Sequence, residues 1–197
     1  TKVRENSSSA RARKVSSIKS FFKYLTSKKG LLNDNPAEEL EAPKIPDLLP
    51  KYLTLDESIK LLNNIESEFY ERDYCIITLF LNCGLRLSEL VSIDLSNIQD
   101  SSFTVIGKGN RERTIYMNEA CRDALMKYLA VRPHDSVKDR DALFLSKRKT
   151  RISTKMVQVI VKKALQNAGL DTTKYSAHKL RHTAATLMYK HGNVDVR

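Results

Sequence analysis

The sequence predicts a mixed fold of the α+β class, mainly helical with a small antiparallel β-sheet. Most apolar residues recur at helical spacing, and several of these periodic segments end at a glycine, the residue that commonly follows a helix. Two short runs rich in β-branched and aromatic residues, 103–106 and 113–117, flank the glycine-containing segment 107–110 and predict one hairpin.

The N-terminal part of the sequence predicts helical structure. Val15, Ile18 and Phe21 recur at helical spacing after a serine-rich stretch with several basic residues, which predicts a basic helix. Asn35 and Pro36 have the order of a helix cap and a first helical residue, so a second, short helix is predicted there.

Proline content marks the boundary between two predicted domains. Three of the five prolines lie within residues 43–50, and proline interrupts regular helix because it lacks a backbone donor. We therefore interpret residues 44–52 as an extended linker between a small helical domain, residues 1–43, and a larger domain, residues 53–197.

The larger domain opens with a capping box, in which Thr54 and Glu57 satisfy free amides at the start of a helix. Residues 142–145, Ala-Leu-Phe-Leu, form a short apolar run that predicts an edge strand. The predicted helices of this domain span residues 55–66, 70–83, 87–91, 119–131, 154–168 and 177–191.

The chain carries a large excess of positive charge. Lysine and arginine number 34 against 23 acidic residues, a formal net charge of +11. Such a surface favours polyanions, of which nucleic acid is the commonest, because each neutralised phosphate releases condensed counterions. Positive charge that serves only solubility is the alternative interpretation.

The sequence predicts no membrane association and a cytoplasmic location. Its longest apolar run, around residues 76–81, is far too short to cross a bilayer, and no signal-peptide pattern is found. The three cysteines lack metal-ligand spacing and are interpreted as buried thiols.

The first candidate site segment is GLRLSEL, residues 84–90, which places an arginine directly after an apolar helix. Arg86 needs an anionic partner in that setting. Glu89, three positions on, can hold the Arg86 guanidinium. The remaining donors of that guanidinium can then face a phosphate. A purely structural pair between the two residues is the alternative.

The second candidate segment is GKGNRER, residues 107–113, at the predicted hairpin tip. The glycines allow a tight turn from which Lys108 projects beyond the sheet, where its ammonium group could protonate a leaving oxygen. A tip lysine that serves only solubility is the alternative.

The third candidate segment is HKLRHT, residues 178–183, in the first turns of a predicted helix. His178, Arg181 and His182 project from one face near the electropositive helix start, which favours an oxyanion. The two histidines could instead bind a metal, but no third ligand has convincing spacing, so no metal and no cofactor are predicted. The residues predicted to pack behind this face are Leu180, Ala184, Leu187 and Met188.

These three segments, in this order, resemble tyrosine recombinases of the integrase and Xer family over essentially the whole chain. The resemblance is greatest to the bacterial Xer-like branch and includes NPAEELEAPK and LPKYLTLDE around the predicted linker. It implies a catalytic domain over residues 53–197 and part of a helical core-binding domain, which clamps DNA, over residues 1–43. It also implies site-specific cleavage and rejoining of DNA strands through a 3′-phosphotyrosyl intermediate, which conserves the energy of the broken bond.

The resemblance also implies roles for individual residues. Arg86 and Arg181 are expected to clamp the scissile phosphate, and Glu89 to support them. Lys108 is expected to protonate the leaving 5′ oxygen, and His178 to act as an acid/base partner. Phosphoryl transfer depends mainly on positioning and on positive groups facing the phosphate oxygens, which agrees with these roles. Further candidate DNA contacts are Arg11, Arg13, Lys14, Arg111, Arg113 and Arg148.

The nucleophilic tyrosine of the family is not assigned within this sequence. In the family it follows the HxxR segment by a few dozen residues, together with another histidine or tryptophan, and the sequence ends at Arg197. Tyr175 and Tyr189 do not occupy the nucleophile position and are interpreted as packing or DNA-facing residues. The sequence is therefore expected to be a fragment that binds DNA without cutting it.

Double-stranded DNA is the partner that the resemblance implies, with four protomers, identical or mixed, assembling on two sites in a bacterial cytoplasm near the nucleoid. Chromosome-dimer resolution and mobile-element integration both fit the family. The alternatives are a non-catalytic DNA-binding relative and a type IB topoisomerase-like enzyme, which has similar basic residues.

Overall fold

The computed structural model describes residues 6–45, 51–107, 109 and 111–191, with the backbone alone at residue 191. The chain divides into two compact units, Thr1–Leu49 and Pro50–Arg197. The point of division lies inside the segment predicted to be a linker.

The first unit is built on one long helix, α1 (Ser8–Ser27). Ser7 caps it, since the Ser7 hydroxyl accepts a hydrogen bond from the Ala10 amide at 3.3 Å. The predicted basic helix is thus confirmed and begins seven residues before the apolar repeat. Within the described chain, α1 buries no residue completely.

The prediction of a short helix after Asn35 is wrong, because residues 36–39 form a turn instead. The predicted cap does form: Asn35 Oδ1 accepts a hydrogen bond from the Ala37 amide at 3.0 Å. Few residues then remain before Pro43, and the residue ahead of a proline is disfavoured in helical conformation.

The second unit combines helices with one hairpin, which confirms the predicted mixed, mainly helical fold. Its elements are α2 (Leu55–Asn63), α3 (Tyr70–Cys83), α4 (Leu87–Val91), β1 (Ser102–Ile106), β2 (Glu112–Tyr116), α5 (Glu119–Val131), α6 (Thr154–Asn167) and α7 (Ala177–His191), with a 3-10 turn at Leu95–Asn97.

Caps and glycines define several helix ends as predicted. The Thr54 hydroxyl accepts from the Glu57 amide at 3.2 Å, and Glu57 Oε2 accepts from the Thr54 amide at 2.8 Å, which completes the capping box. Gly84, at φ +56°, follows α3, and Gly169, at φ +63°, follows α6. Only α2 departs clearly, ending three residues before the predicted position.

The hairpin is antiparallel, with Ser102 opposite Tyr116 and Ile106 opposite Glu112. Its two faces differ: the side chain of Ile115 is buried, while Tyr116 is 79% exposed. One face of the hairpin therefore packs on the unit, and the alternation of strand side chains sets which residues point inward.

The edge strand predicted at residues 142–145 is wrong. These residues are buried, but within the described chain they form only isolated bridges. Side chains take the carbonyl groups that a strand ladder would use: Arg132 donates to the carbonyls of Ala142 at 2.7 Å and Leu143 at 3.1 Å, and the Tyr128 hydroxyl also donates to Leu143 at 3.1 Å.

Helix α3 forms the centre of the second unit. Its residues Cys75–Leu81 are all buried, and it packs against α5 and α7. Leu180 and Ala184 on α7 are buried as predicted, whereas Met188 is 40% exposed, so its predicted packing is wrong. This packing brings the beginning of α7 beside the end of α3.

Candidate active site

Three of the predicted site residues converge where α3 ends and where α4 and α7 begin. Gly84 adopts the left-handed conformation that ends α3, so the chain turns and Arg86 directly precedes α4. Glu89 lies in the first turn of α4. Because α7 packs against α3, Arg181 reaches the same point from a distant part of the sequence.

Glu89 lies at the centre of this cluster, with its side chain only 1% exposed. Its Oε1 accepts a hydrogen bond from Arg86 Nη1 at 2.5 Å. Its Oε2 accepts from the Arg86 amide at 2.7 Å and from Arg113 Nη2 at 2.7 Å. Arg181 Nη1 lies 3.6 Å from the same Oε2. Donors on both oxygens hold the carboxylate in one orientation.

These contacts also set the protonation state of Glu89. Burial alone raises the pKa of the carboxyl, but hydrogen bonds from the backbone and side chain of Arg86, and then from Arg113, outweigh burial. The pKa of Glu89 therefore lies below the ordinary glutamate value, and the group is charged at neutral pH.

Arg181 is anchored by the backbone as well as by charge. Its Nη1 donates to the Gly84 carbonyl at 2.8 Å, at the end of α3. Burial, followed by the charges of Arg86 and Arg113, lowers the pKa of Arg181, and Glu89 acts in the opposite direction. The guanidinium remains charged near neutral pH, because an arginine side chain keeps its proton in proteins.

The cluster has more positive than negative charge. Three guanidinium groups surround one carboxylate, which leaves two positive charges without an acidic partner in the described part of the cluster. Arg86, Arg181 and His178 line a surface cavity of about 530 Å³. A concave surface with two arginines is suited to bind a phosphate, since guanidinium donors match phosphate oxygens in geometry and charge.

His178 and His182 face each other one turn apart on α7, with 3.0 Å between their Nε2 atoms. A hydrogen bond between these two nitrogens needs one ring to donate and the other to accept, and the tautomers decide which ring donates. Burial, followed by the charges of His178, Lys179 and Arg181, lowers the pKa of His182. His182 is therefore neutral at neutral pH, and His178 lies at the cavity with an uncharged partner.

The other predicted site residues are Lys108 and the candidate DNA contacts. Lys108 lies outside the described residues. Arg111 and Arg148 are exposed and do not line the cavity, and Arg11, Arg13 and Lys14 are exposed on α1 of the first unit. Their predicted DNA contacts stay predictions.

Sequence reasoning missed the contact between Arg113 and Glu89, and two cavity residues on α6, Gln158 and Lys162. The alternation of strand side chains could have indicated the contact between Arg113 and Glu89, because Arg113 shares a hairpin face with the buried Ile115. Gln158 and Lys162 lie four residues apart on one helix face, which is a signal only once the position of α6 is known.

Neither a metal centre nor a membrane span is found in the described ranges. No group of three or more His, Cys, Asp or Glu side chains there is arranged to hold a metal ion. None of the described helices has the length and apolar character that a membrane crossing requires.

The sequence model of the phage integrase family matches residues 51–197. The chain belongs to this family. Among curated relatives, tyrosine recombinase XerC of Caldanaerobacter subterraneus subsp. tengcongensis is 61% identical over 197 residues, covering 100% of the chain and 56% of the relative. Tyrosine recombinase XerC of Thermodesulfovibrio yellowstonii is 36% identical over 195 residues, covering 94% of the chain and 64% of the relative. The resemblance to Xer-like tyrosine recombinases is confirmed, and the chain spans between half and two thirds of these relatives.

Solved structures of other recombinases and integrases share the fold. The crystal structure of XerA recombinase matches with a TM-score of 0.67 at 28% identity, covering 91% of the chain and 69% of that structure. A lambda integrase dimer bound to a COC′ core site matches with a TM-score of 0.70 at 19% identity, covering 93% and 67%. The integrase of transposon Tn1549, in complex with circular intermediate DNA, matches with a TM-score of 0.72 at 20% identity. The match covers 94% of the chain and 68% of that structure. The predicted catalytic-domain fold is confirmed.

Proposed function

We propose that the protein containing this sequence is a site-specific recombinase that cleaves and rejoins double-stranded DNA through a 3′-phosphotyrosyl intermediate. The observation that carries the proposal is the buried Glu89, which holds Arg86 and contacts Arg181 beside an open cavity. The 61% identity to a tyrosine recombinase supports it. The DNA present in structures of similar fold supports DNA as the partner.

The charge of the cluster suits the transition state of this reaction. A phosphodiester has one negative charge, and attack by an oxygen nucleophile increases the charge on its non-bridging oxygens. Arg86, Arg113 and Arg181 together leave two positive charges in excess of Glu89, and Arg86 and Arg181 present theirs to the cavity. Pre-positioned donors of this kind lower the barrier without reorganising during the reaction, and each is worth about 100-fold to 1,000-fold in rate.

The proposed reaction has two transesterification steps. A tyrosine oxygen attacks the phosphorus, the bond to the 5′ oxygen breaks, and Lys108 gives its proton to that oxygen. His178, at the cavity, accepts the proton of the attacking hydroxyl. A 5′ hydroxyl of a second strand then attacks the phosphotyrosine and gives its proton to the neutral Lys108, while the released tyrosine regains the proton held by His178. No external energy source is needed. We assign the nucleophile to no residue of this sequence.

The wider organisation of the protein is also proposed. Basic residues on α1 are exposed, which suits a clamp that contacts DNA phosphates through Arg11, Arg13 and Lys14. Four protomers would assemble on two DNA sites, in the bacterial cytoplasm where chromosomal DNA is located.

A nicked suicide substrate tests the chemistry, because the short 5′ strand diffuses away after cleavage and traps the covalent adduct. The full-length protein is expected to form this adduct. Arg86→Ala and Arg181→Ala are expected to reduce its rate at least about 100-fold. Arg122→Ala, which removes the same charge from an exposed position on α5, is the matched control.

Two results would decide against parts of the proposal. Adduct formation that is insensitive to both arginine substitutions would show that the site is misassigned. DNA binding by the full-length protein without any adduct would favour the non-catalytic DNA-binding relative. For the 197-residue chain, salt-dependent DNA binding is expected. The slope of log affinity against log salt concentration should become smaller by about one for each of Arg86 and Arg181 that is replaced.

A further inference from the structure

Arg113 connects the hairpin to the centre of the site. Its Nη2 donates to Glu89 Oε2 at 2.7 Å, although Arg113 lies on β2 and Glu89 on α4. Arg86 already satisfies Oε1 and donates its amide to Oε2. Among the described residues, Arg113 supplies the one hydrogen bond that joins a different structural element to this carboxylate.

The backbone of the hairpin approaches the same group. An added Cβ at Gly107 would lie 3.9 Å from both Arg86 Nη1 and Glu89 Oε1, which is ordinary van der Waals contact. The Gly107 amide donates to the Arg111 carbonyl at 2.8 Å, which continues the ladder beyond the Ile106–Glu112 pair. The two strands thus reach the arginine cluster at the end where they connect.

The direction of the Arg113 side chain follows from the strand pairing. Arg113 pairs with Val105, whose side chain is buried, and lies two residues before the buried Ile115 on the same face. Its side chain is 41% exposed, and its guanidinium reaches the buried Glu89 carboxylate. An arginine that only contacted phosphate would not need to pair with a buried carboxylate, whereas Arg113 pairs with Glu89, whose side chain is 1% exposed.

We propose that Arg113 is a positioning residue that fixes the β1–β2 hairpin at Gly107, the residue before Lys108 in the sequence, against the Glu89 carboxylate that orients the phosphate-binding arginines. This inference rests on the proposed function, in which Lys108 protonates the leaving 5′ oxygen. Arg113 acts through Lys108 and touches no reacting atom. Its loss therefore impairs leaving-group protonation and leaves the arginine clamp in place, because Arg86 retains both of its bonds to Glu89.

A substrate whose leaving group needs no proton separates these roles. Replacing the bridging 5′ oxygen of the scissile phosphate by sulfur gives a thiolate, which leaves without a general acid because thiols are far more acidic than alcohols. Single-turnover adduct formation is measured with the full-length protein at saturating concentration, on both substrates. The variants are Arg113→Ala, Arg113→Lys, Lys108→Ala and Arg86→Ala. Arg111→Ala removes the same charge from the same hairpin.

On the oxygen substrate, Arg113→Ala is expected to slow cleavage by about 10-fold to 100-fold, the cost of a misplaced catalytic group. On the sulfur substrate the rate is expected to return to within about threefold of the unsubstituted protein, as it does for Lys108→Ala. On the oxygen substrate, the cleavage rate of Arg113→Lys is expected to lie between those of Arg113→Ala and the unsubstituted protein. A lysine donates to the carboxylate but lacks the planar fork of a guanidinium. Arg111→Ala is expected to leave the ratio of the two rates unchanged. The double variant Arg113→Ala with Lys108→Ala is expected to be no slower than Lys108→Ala alone.

Equal losses on the two substrates for Arg113→Ala would overturn the inference and place Arg113 in the phosphate clamp with Arg86. An undiminished rate on the oxygen substrate would also overturn it. Failure of sulfur to rescue Lys108→Ala would refute the lysine assignment on which the inference depends. Failure of the unsubstituted protein to form an adduct with either substrate would refute the proposed function itself and, with it, this inference.

Discussion

Replacing Glu89 by glutamine keeps the size of the side chain and removes its charge. In the folded chain Glu89 accepts two hydrogen bonds from guanidinium groups and one from a backbone amide. A hydrogen bond to a charged group contributes about 1.5–3 kcal/mol, against about 0.5–1.5 kcal/mol for a neutral one. The glutamine amide also turns one NH₂ group toward arginine donors.

The net loss of stability for Glu89→Gln is expected to be about 2–3 kcal/mol. The two charge-assisted bonds lose about 1 kcal/mol each, a value at the low end because the Arg86 and Arg113 side chains are 47% and 41% exposed and partly screened by water. The misplaced NH₂ group and the repulsion among three arginines without a counter-charge add up to about 1 kcal/mol.

Urea unfolding at pH 7, followed by circular dichroism because the chain has no tryptophan, measures this loss. For a slope of about 2 kcal/mol per molar, the midpoint is expected to fall by about 1–1.5 M. Glu68→Gln is the matched control: Glu68 pairs with Lys147 at 3.0 Å, but both side chains are mostly exposed, at 66% and 74%. Its midpoint is expected to change by less than about 0.3 M.

The same experiment has a defined pH dependence. The pKa of Glu89 is lowered in the folded state, so its contribution is fully present above the ordinary glutamate pKa of about 4.3 and is lost as pH falls through the lowered value. The difference between the unsubstituted chain and Glu89→Gln is therefore expected to shrink below about pH 4. Equal midpoints for Glu89→Gln and Glu68→Gln at pH 7 would refute the structural role of the buried carboxylate.

Three further outcomes are expected from features outside the carboxylate. Gly84→Ala forces a Cβ into the left-handed region at φ +56° and should lower stability by about 1–2 kcal/mol in thermal unfolding, with Gly84→Asn costing less; equal losses would contradict the conformational argument. Arg132→Met removes a buried guanidinium that donates to four backbone carbonyls and should lower stability by about 3 kcal/mol or more in urea; a loss under about 1 kcal/mol would contradict it. The hydrogen bond from Cys121 lowers the pKa of Cys83, whereas burial raises the pKa of Cys75. At pH 8, iodoacetamide should therefore label Cys83 before Cys75, as measured by peptide mass mapping. Faster labelling of Cys75 would contradict this order.

Helix ends that depend on local chemistry could be predicted from the sequence. The Thr54–Glu57 capping box and the glycine at position 84 act through neighbouring backbone groups, and both are found where predicted. The cap at Asn35 also formed, but no helix followed it. A cap satisfies amides at one end, and a helix also requires enough residues to repeat the bond.

Structure that depends on distant side chains could not be predicted in the same way. The run at residues 142–145 has a strand-like composition, but Arg132 and Tyr128 donate to the carbonyls of Ala142 and Leu143. Nothing in the local pattern reveals those donors. The pair of Arg86 and Glu89 lies three residues apart and followed from spacing. Arg181 was predicted to share the site through the resemblance of its segment alone, since the packing of α7 on α3 is not readable from either helix.

The separations along the chain between Glu89 and its partners imply an order of assembly during synthesis. Arg86 is 3 residues away and Arg113 is 24, whereas the bond of Arg181 to Gly84 closes a loop of 97 residues. Longer loops lose more chain entropy on closing, so the local pair forms first and the α7 contact last. A chain still on the ribosome, with α7 not yet emerged, holds only part of the arginine cluster around Glu89. Nascent molecules would therefore complete this cluster only after α7 has emerged and packed against α3.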